Sequence, residues 1–244
     1  MSGKIYVIGL GPGGREHMTQ KALKAIEVSE VIVGYKTYIN FIEDLLDSKE
    51  VESSGMRKEI DRCRFALEKA LEGKTVSLVS SGDAGVYGMA GIMLEVVKEA
   101  GIDIEVEIVP GISAVNAAAS VLGAPVMHDF AVISLSDLLT PWTVIKKRLE
   151  CASQGDFIIA LYNPKSHGRT EQIIRARDIM MEYKSSDTPV GIVRNACREG
   201  QQIQITNLGE MLDCDIDMLS VVIIGNSATY IHEGKIITPR GYEL

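Results

Sequence analysis

Three glycine-bearing stretches carry residue types and spacings that invite a chemical reading. VIGLGPGG, from Val7 to Gly14, sets Gly9, Gly11 and Gly14 in the spacing G-x-G-x-x-G. SSGDAGVYGMA, from Ser80 to Ala90, places Asp83 inside a glycine-rich bend, and VPGISA, from Val109 to Ala114, presents Ser113 and Ala114 at the head of a helical pattern. The first spacing is that of a dinucleotide turn, in which the third glycine opens a helix so that a pyrophosphate meets the helix N-terminus. Here the next cap candidate, Thr19, comes well after Gly14, and Pro12 removes an N–H that a phosphate would use. VGYKTY, at the end of the next strand pattern, holds no acid to read a ribose. A tight glycine turn that lets backbone approach something flat fits better. An Asp with no basic partner among these turns suits a ligand bearing hydroxyls or an ammonium rather than phosphates. The same Asp83 reads equally as an Asx-turn residue bonding its own backbone.

These turns need strands to present them. KIYVIGLG is a buried β-branched run ending in glycines, EVIVGY a second strand, TVSLVSSGD and IEVEIVPGIS two more that run into the second and third turns. Between them, Thr19 caps a helix with Ala22, Leu23 and Ile26 on one face. Ile60, Cys63, Leu67 and Leu71 recur at helical spacing up to Gly73, MAGIMLEVVKEAG is a helix ending at Gly101, and Ser113 caps AVNAAASVLG. The alternation resumes with AVISL, a helix from Thr140–Pro141 to about Cys151, DFIIALYNP, an amphipathic helix over 169–183, VGIVRNA and SVVIIGN. Alternating strands and helices predict an α/β fold with much parallel pairing. The Gly- and Pro-bearing break over 123–130 reads as the join between two α/β domains, 1–123 and 124–244. In such sheets the loops at the carboxyl ends of strands form the ligand crevice, so the three turns are expected to converge.

The 244 residues are 46% hydrophobic and 24% charged, which predicts well-packed cores. A net charge of −8 argues against nucleic acid as a partner and requires local basic residues to hold any anionic substrate. Cys63, Cys151, Cys197 and Cys214 form no C-x-x-C pair, which predicts no protein-bound metal and buried free thiols in a reducing cytosol. The first strand begins almost at Met1 and no apolar run reaches membrane length, so a cytoplasmic protein without a leader or membrane span is expected.

GLGPGG…MT, SSGDAGVYGMA and VPGISA, in this order, resemble the tetrapyrrole methylase family, and the resemblance covers nearly the whole chain. VGYKTYI, GMRKEI, SSGDAGVYGMAG, LYNPKS, VRNACREGQ and VVIIGNSAT are similar to its ring-contracting branch in cobalamin biosynthesis, the precorrin-3B carbon-17 methyltransferases and their cobalt-factor III counterparts. The resemblance implies homodimers of two α/β domains, with S-adenosylmethionine in the cleft between the domains and a corrinoid precursor as substrate. It implies that Leu10 and Pro12 line one wall of the cofactor site, that Asp83, Gly85 and Val86 hold the methionine or ribose part, and that Ser113 and Ala114 contact it next. Tyr162, Asn195 and Ser220 would close over the adenosine from the second domain. Many members carry an acid directly after the first glycine turn, where this chain has Gly14.

A sulfonium methyl is already activated, because its leaving group is a neutral thioether, so alignment and exclusion of water are the main demands. The chain shows no Ser-His-Asp or Cys-His pattern, and methyl transfer to an electron-rich ring carbon needs none. The ring contraction that the branch couples to methylation has use for an acid or base, for which His17, Tyr35 and Glu59 are candidates. A solvated loop histidine is the plainer reading of His17. A flat macrocycle rimmed with carboxylates wants basic edges, and Lys36 and Arg57 come first among Lys36, Arg57, Lys58 and Arg194, each of which also reads as solvated surface charge. Two other readings stay open: the same fold acting on uroporphyrinogen, another precorrin or a diphthamide precursor, and an NAD-binding regulatory module without catalysis.

Overall fold

The computed structural model describes residues 3–55 and 58–243, which form two compact units, 1–114 and 115–244. The first unit is a parallel sheet with helices on both faces. Its strands are β1 (Lys4–Gly9), β2 (Val31–Tyr35), β3 (Glu50–Ser54), β4 (Thr75–Ser80) and β5 (Glu105–Val109), in the order β3-β2-β4-β1-β5, every neighbouring pair parallel. Alternation along the strands divides the core in two. Ile8, Ile32 and Val79 pack under α1 (Gln20–Val28) and α2 (Lys36–Asn40). Ile5, Val7, Val33, Val76 and Leu78 pack under α3 (Glu59–Leu71) and α4 (Ala90–Ala100). Near-continuous apolar runs are what a strand buried on both faces requires. The Thr19 hydroxyl accepts from the Ala22 N–H at 3.1 Å, which makes it the N-cap of α1 as its position in the sequence predicts. Gly101 ends α4 in the left-handed conformation, with φ 65°.

The second unit is less parallel than the sequence suggests. After α5 (Ala114–Leu122) and the short β6 (Gly123–Ala124) come β7 (Phe130–Ser134), α6 (Trp142–Gln154), β8 (Ile158–Tyr162), α7 (Glu171–Met181), β9 (Pro189–Arg194), β10 (Gln202–Asn207) and β11 (Ser220–Ile224). The sheet order is β10-β9-β11-β8-β7, and only β7 and β8 are parallel neighbours. β11 inserts antiparallel between β8 and β9, and β10 folds back on β9 as an antiparallel edge. A final hairpin, β12 (Tyr230–His232) and β13 (Lys235–Ile237), pairs with β6. The sequence reading has no β3, β10 or hairpin. β3 and β10 are edge strands of largely polar composition, EVESS and QIQITN, and lack the apolar run that marks a central strand.

One face of the second sheet packs on α6 and α7 through Ile145, Leu149, Ile159, Ile173 and Met180. On the other face Gly191 leaves room for Leu122 and Ile236, and a Cβ there would meet Leu122 Cδ2 at 2.7 Å and Ile236 Cδ1 at 2.9 Å. That close approach ties α5 to the second sheet. The division between units falls at the start of α5, after Ala114, rather than after the helix, where the loss of periodicity over 123–130 suggests it. The four cysteines are free, but only Cys63 is buried; Cys151 is exposed and Cys197 and Cys214 lie between, so the expectation of four buried thiols does not hold. Burial pushes the Cys63 thiol up to about 12, which keeps it protonated and inert. No helix of the described residues is long and apolar enough to cross a membrane.

Leu149 is fully buried in the second core. Leu149→Ala is expected to destabilise the protein by about 2–5 kcal/mol, read as a lowered urea midpoint at unchanged slope.

Candidate active site

The strand order places the carboxyl ends of β4, β1 and β5 side by side, and the three glycine turns leave from those ends. They are bonded to one another. Gly11 and Gly82 exchange backbone hydrogen bonds at 2.9 and 2.8 Å, joining the first turn to the second. The Asp83 carboxylate joins the second to the third: Oδ1 accepts from the Gly85 N–H at 2.8 Å and Oδ2 from the Gly111 N–H at 3.0 Å. The Asx turn that the sequence allows is therefore present, and it uses only one of the two oxygens. A carboxylate offers about four acceptor sites, and the amides of Gly85 and Gly111 take two of them.

Packing between the turns leaves no space for side chains. A Cβ on Gly9 would stand 2.6 Å from Gly82 O, 2.8 Å from Gly111 N and 2.9 Å from Ala84 N. A Cβ on Gly111 would collide with the carbonyl oxygens of Gly82 and Gly9. The glycines of the first turn serve backbone-to-backbone contact. Pro12 and Gly13 are buried, the turn runs into a single 3-10 turn at Arg15–His17, and α1 starts only at Gln20, so no α-helix opens at Gly14 to meet a pyrophosphate.

Of the predicted wall residues, Leu10 is 1% exposed and its side chain belongs to the core under α1, because it continues the inward alternation of β1. Leu10 thus offers the turn backbone rather than side chain. Gly85 and Val86 are exposed, Asp83, Ser113 and Ala114 half-buried. The sequence reading missed Tyr87, which is 57% exposed beside Val86 and has φ 55°. A left-handed non-glycine residue is uncommon, and nothing in the residue type announces it. Ile112, next to Ser113, is also exposed, so the rim combines a carboxylate with apolar side chains.

The remaining candidates lie on different elements. His17 follows the first turn, 33% exposed, with Nε2 3.7 Å from Glu16 Oε1. Tyr35 ends β2 and stands edge-on to Tyr38 at 5.2 Å between ring centroids. Glu59 opens α3 and faces Arg62 Nη2 at 3.3 Å, so its carboxylate already has a cationic partner. The contacts described for these three run to Glu16, Tyr38 and Arg62, not to one another. Lys36 opens α2, exposed and without an ion pair to any described residue. Arg57 lies outside the described residues. Lys58 pairs with Asp61 at 3.0 Å.

In the second unit, Tyr162, Asn195 and Ser220 share one end of the sheet. The Tyr162 hydroxyl accepts from the Val115 N–H at 2.7 Å, in the first turn of α5. Asn195 is left-handed, with φ 51°, and its N–H donates to Leu219 O. Ser220, proposed from the sequence as a ligand contact, is 3% exposed, and its hydroxyl donates to Asp217 Oδ1 at 3.0 Å. Arg194 Nε donates to the other oxygen of Asp217 at 2.7 Å. Burial alone would raise the Asp217 carboxyl. The hydrogen bonds from Arg194, the Leu219 N–H and the Ser220 hydroxyl outweigh it and hold the group below its ordinary 3.8. Arg194 and Ser220 are thus occupied in a local network. Among the described residues no group of three or more His, Cys, Asp or Glu stands ready for a metal ion.

A profile of the tetrapyrrole (corrin/porphyrin) methylases matches residues 4–212. The chain belongs to that family. The cobalt-factor III methyltransferase of Priestia megaterium is 52% identical over the whole of this methylase chain, which spans 46% of that protein's length. The probable cobalt-factor III C(17)-methyltransferase of Salmonella typhimurium is 50% identical over 98% of this chain and 100% of its own. The crystal structure of the methyltransferase CobJ matches with a TM-score of 0.91 at 37% identity, covering 98% of this chain and 100% of that one. Fold and family thus agree with the resemblance carried by the sequence motifs.

In this methylase the bonded turns depend on bare glycines. Gly9→Ala is expected to destabilise by about 1–3 kcal/mol, because the atoms that the new Cβ meets are backbone and have no flexible end to yield. Chemical denaturation of the folded variant checks it.

Proposed function

We infer that this chain is an S-adenosylmethionine-dependent methyltransferase of cobalamin biosynthesis, methylating carbon 17 of a precorrin-3B or cobalt-factor III macrocycle with ring contraction. The observation that carries the reading is the full-length likeness to the Salmonella carbon-17 methyltransferase, combined with a nest of three bonded turns around Asp83. Both named relatives act, by their names, on the cobalt form, which favours cobalt-factor III over the metal-free substrate. On the family resemblance the enzyme works as a cytoplasmic homodimer.

The nest suits the donor chemically. S-adenosylmethionine is a cation at sulfur and at the amino group, carries ribose hydroxyls, and has a flat apolar base. Asp83, with acceptor sites left over, offers the negative charge, while Val86 and Ile112 offer exposed apolar surface. Bound there, the donor supplies an activated methyl group on a neutral leaving group. The chain's own contribution is to hold Asp83 rigidly through two backbone amides, so that no reorganisation is needed when the ligand arrives. Ala114 starts α5 directly after Ser113, beside the third turn, and presents the helix's first amide. Lys36, together with Arg57, grips the substrate's carboxylates, against the net charge of −8. With only a single 3-10 turn, Arg15–His17, behind the first turn and α1 starting at Gln20, an NAD-binding module is the poorer reading.

The deciding experiment is an anaerobic incubation with methyl-labelled S-adenosylmethionine and the cobalt-bearing or metal-free trimethylated macrocycle, read by mass spectrometry. One labelled methyl on the cobalt form is expected. Label on neither substrate, with the donor bound, removes the acceptor assignment. Asp83→Ala is expected to weaken donor binding by more than about tenfold, since a hydrogen bond to a charged group contributes about 1.5–3 kcal/mol. Unchanged affinity by calorimetry removes Asp83 from the site.

A further inference from the structure

The carboxyl edge of the first sheet continues past the nest, over β2 and β3, and one buried cation organises that stretch. Arg62, on α3, is 5% exposed. Its Nη1 donates to Ser54 Oγ at 3.1 Å and to Gly55 O at 2.9 Å, and its Nη2 faces Glu59 Oε1 at 3.3 Å. Ser54 is the last residue of β3 and stands in register with Tyr35, the last residue of β2, which Lys36 follows directly. A guanidinium buried this deeply loses much hydration and is held only because its fork meets several acceptors at once. The acceptors that it meets are not in the helix core but at the point where β3 leaves the sheet.

The sheet order divides this edge in two. The ends of β4, β1 and β5 are closed over one another by the bonds of Gly11, Gly82 and Asp83. The ends of β3 and β2 stand to one side, carrying the half-buried Tyr35, the exposed Lys36 and the exposed Gly55. Both stretches lie at the carboxyl ends of parallel strands, the edge on which open α/β sheets bind their ligands.

We propose that Arg62 is a positioning residue for the acceptor: by fixing Ser54 and Gly55 beside Tyr35 and Lys36, it shapes the part of the carboxyl edge that receives a carboxylate-rimmed macrocycle, while the neighbouring nest holds the methyl donor. The inference rests on the methyltransferase reading above. Arg62 does not touch the substrate, because the acceptors at Ser54, Gly55 and Glu59 occupy its guanidinium. Its effect passes through the end of β3.

The test uses the full chain with two substitutions. Arg62→Lys keeps the charge but has no planar fork to serve neighbouring acceptors, and Ser54→Ala removes one acceptor with little risk to folding. Binding of the cobalt-bearing trimethylated macrocycle is followed by absorbance titration, binding of S-adenosylmethionine by calorimetry, and turnover at saturating macrocycle by mass spectrometry. Arg62→Lys is expected to weaken macrocycle binding about tenfold, with Ser54→Ala weaker in the same direction, while donor affinity and turnover at saturation stay within about twofold, the signature of lost binding rather than lost chemistry. Macrocycle affinity unchanged in the folded variants overturns the proposal, as does a parallel fall in donor affinity, which marks a general structural role. Should Arg62→Lys fail to fold, Ser54→Ala decides by the same criteria. Wild-type protein that binds the macrocycle without methylating it refutes the methyltransferase reading and leaves the binding comparison to judge Arg62. Wild-type protein that binds no macrocycle overturns both.

Discussion

The Asp83 carboxylate, stretched between the amides of Gly85 and Gly111, is the tie on which the nest depends. It couples the turn after β4 to the turn after β5, and the Gly11–Gly82 pair couples both to the turn after β1. Such contacts bring three backbones closer than any Cβ permits, which is why Gly9 and Gly111 are bare. The parallel sheet beneath makes the arrangement possible. With β1 central between β4 and β5, three loops distant in the sequence leave the sheet at neighbouring points and in one direction. The anionic centre is thereby fixed in advance of any ligand.

Elsewhere the molecule holds its loops with buried or half-buried cations that reach several acceptors at once. Arg62 secures the end of β3. Arg169 donates to Leu135 O and Asn163 O, holding the segment after β8 against the end of β7. Lys184 spreads its ammonium over Phe157 O, Gly225 O and Asp156, joining the start of β8 to the end of β11. Burial pushes the Lys184 and Arg169 groups below their ordinary values, while Asp156 and Asp137 respectively act to restore them. A buried charge adds little to stability for its own sake, but a misplaced loop would leave it unpaired, so it penalises alternatives strongly. This is a means of fixing geometry, and in the first unit it acts at the edge where substrate recognition is proposed.

The two units differ in how far their sequences announce them. β1, β2 and β4 are apolar on both faces, and their runs of Val and Ile mark them as central strands by composition alone. β3 and β10 carry no such signal, because an edge strand buries only part of itself and tolerates Glu, Ser and Gln. The antiparallel insertion of β11 is equally silent, since a strand's direction within a sheet leaves no trace in its own composition. Among the site residues, Asp83, Gly85, Ser113 and Ala114 are legible as members of turns at strand ends. Leu10 is legible as part of a turn, but the inward direction of its side chain follows from the continued alternation of β1.

The sequence alone determined the family, the α/β class, the caps at Thr19 and Gly101 and the three turns, because each rests on local residue chemistry or on motifs that stand whole in the chain. Only the tertiary structure decided that the Asp83 carboxylate spans two turns, that Ser220 and Arg194 are taken up by Asp217, that α5 sides with the second unit and that Arg62 commands the end of β3. Each of these depends on which strands become neighbours. Strand order is set by the global balance of burial and connection, and no single segment encodes it.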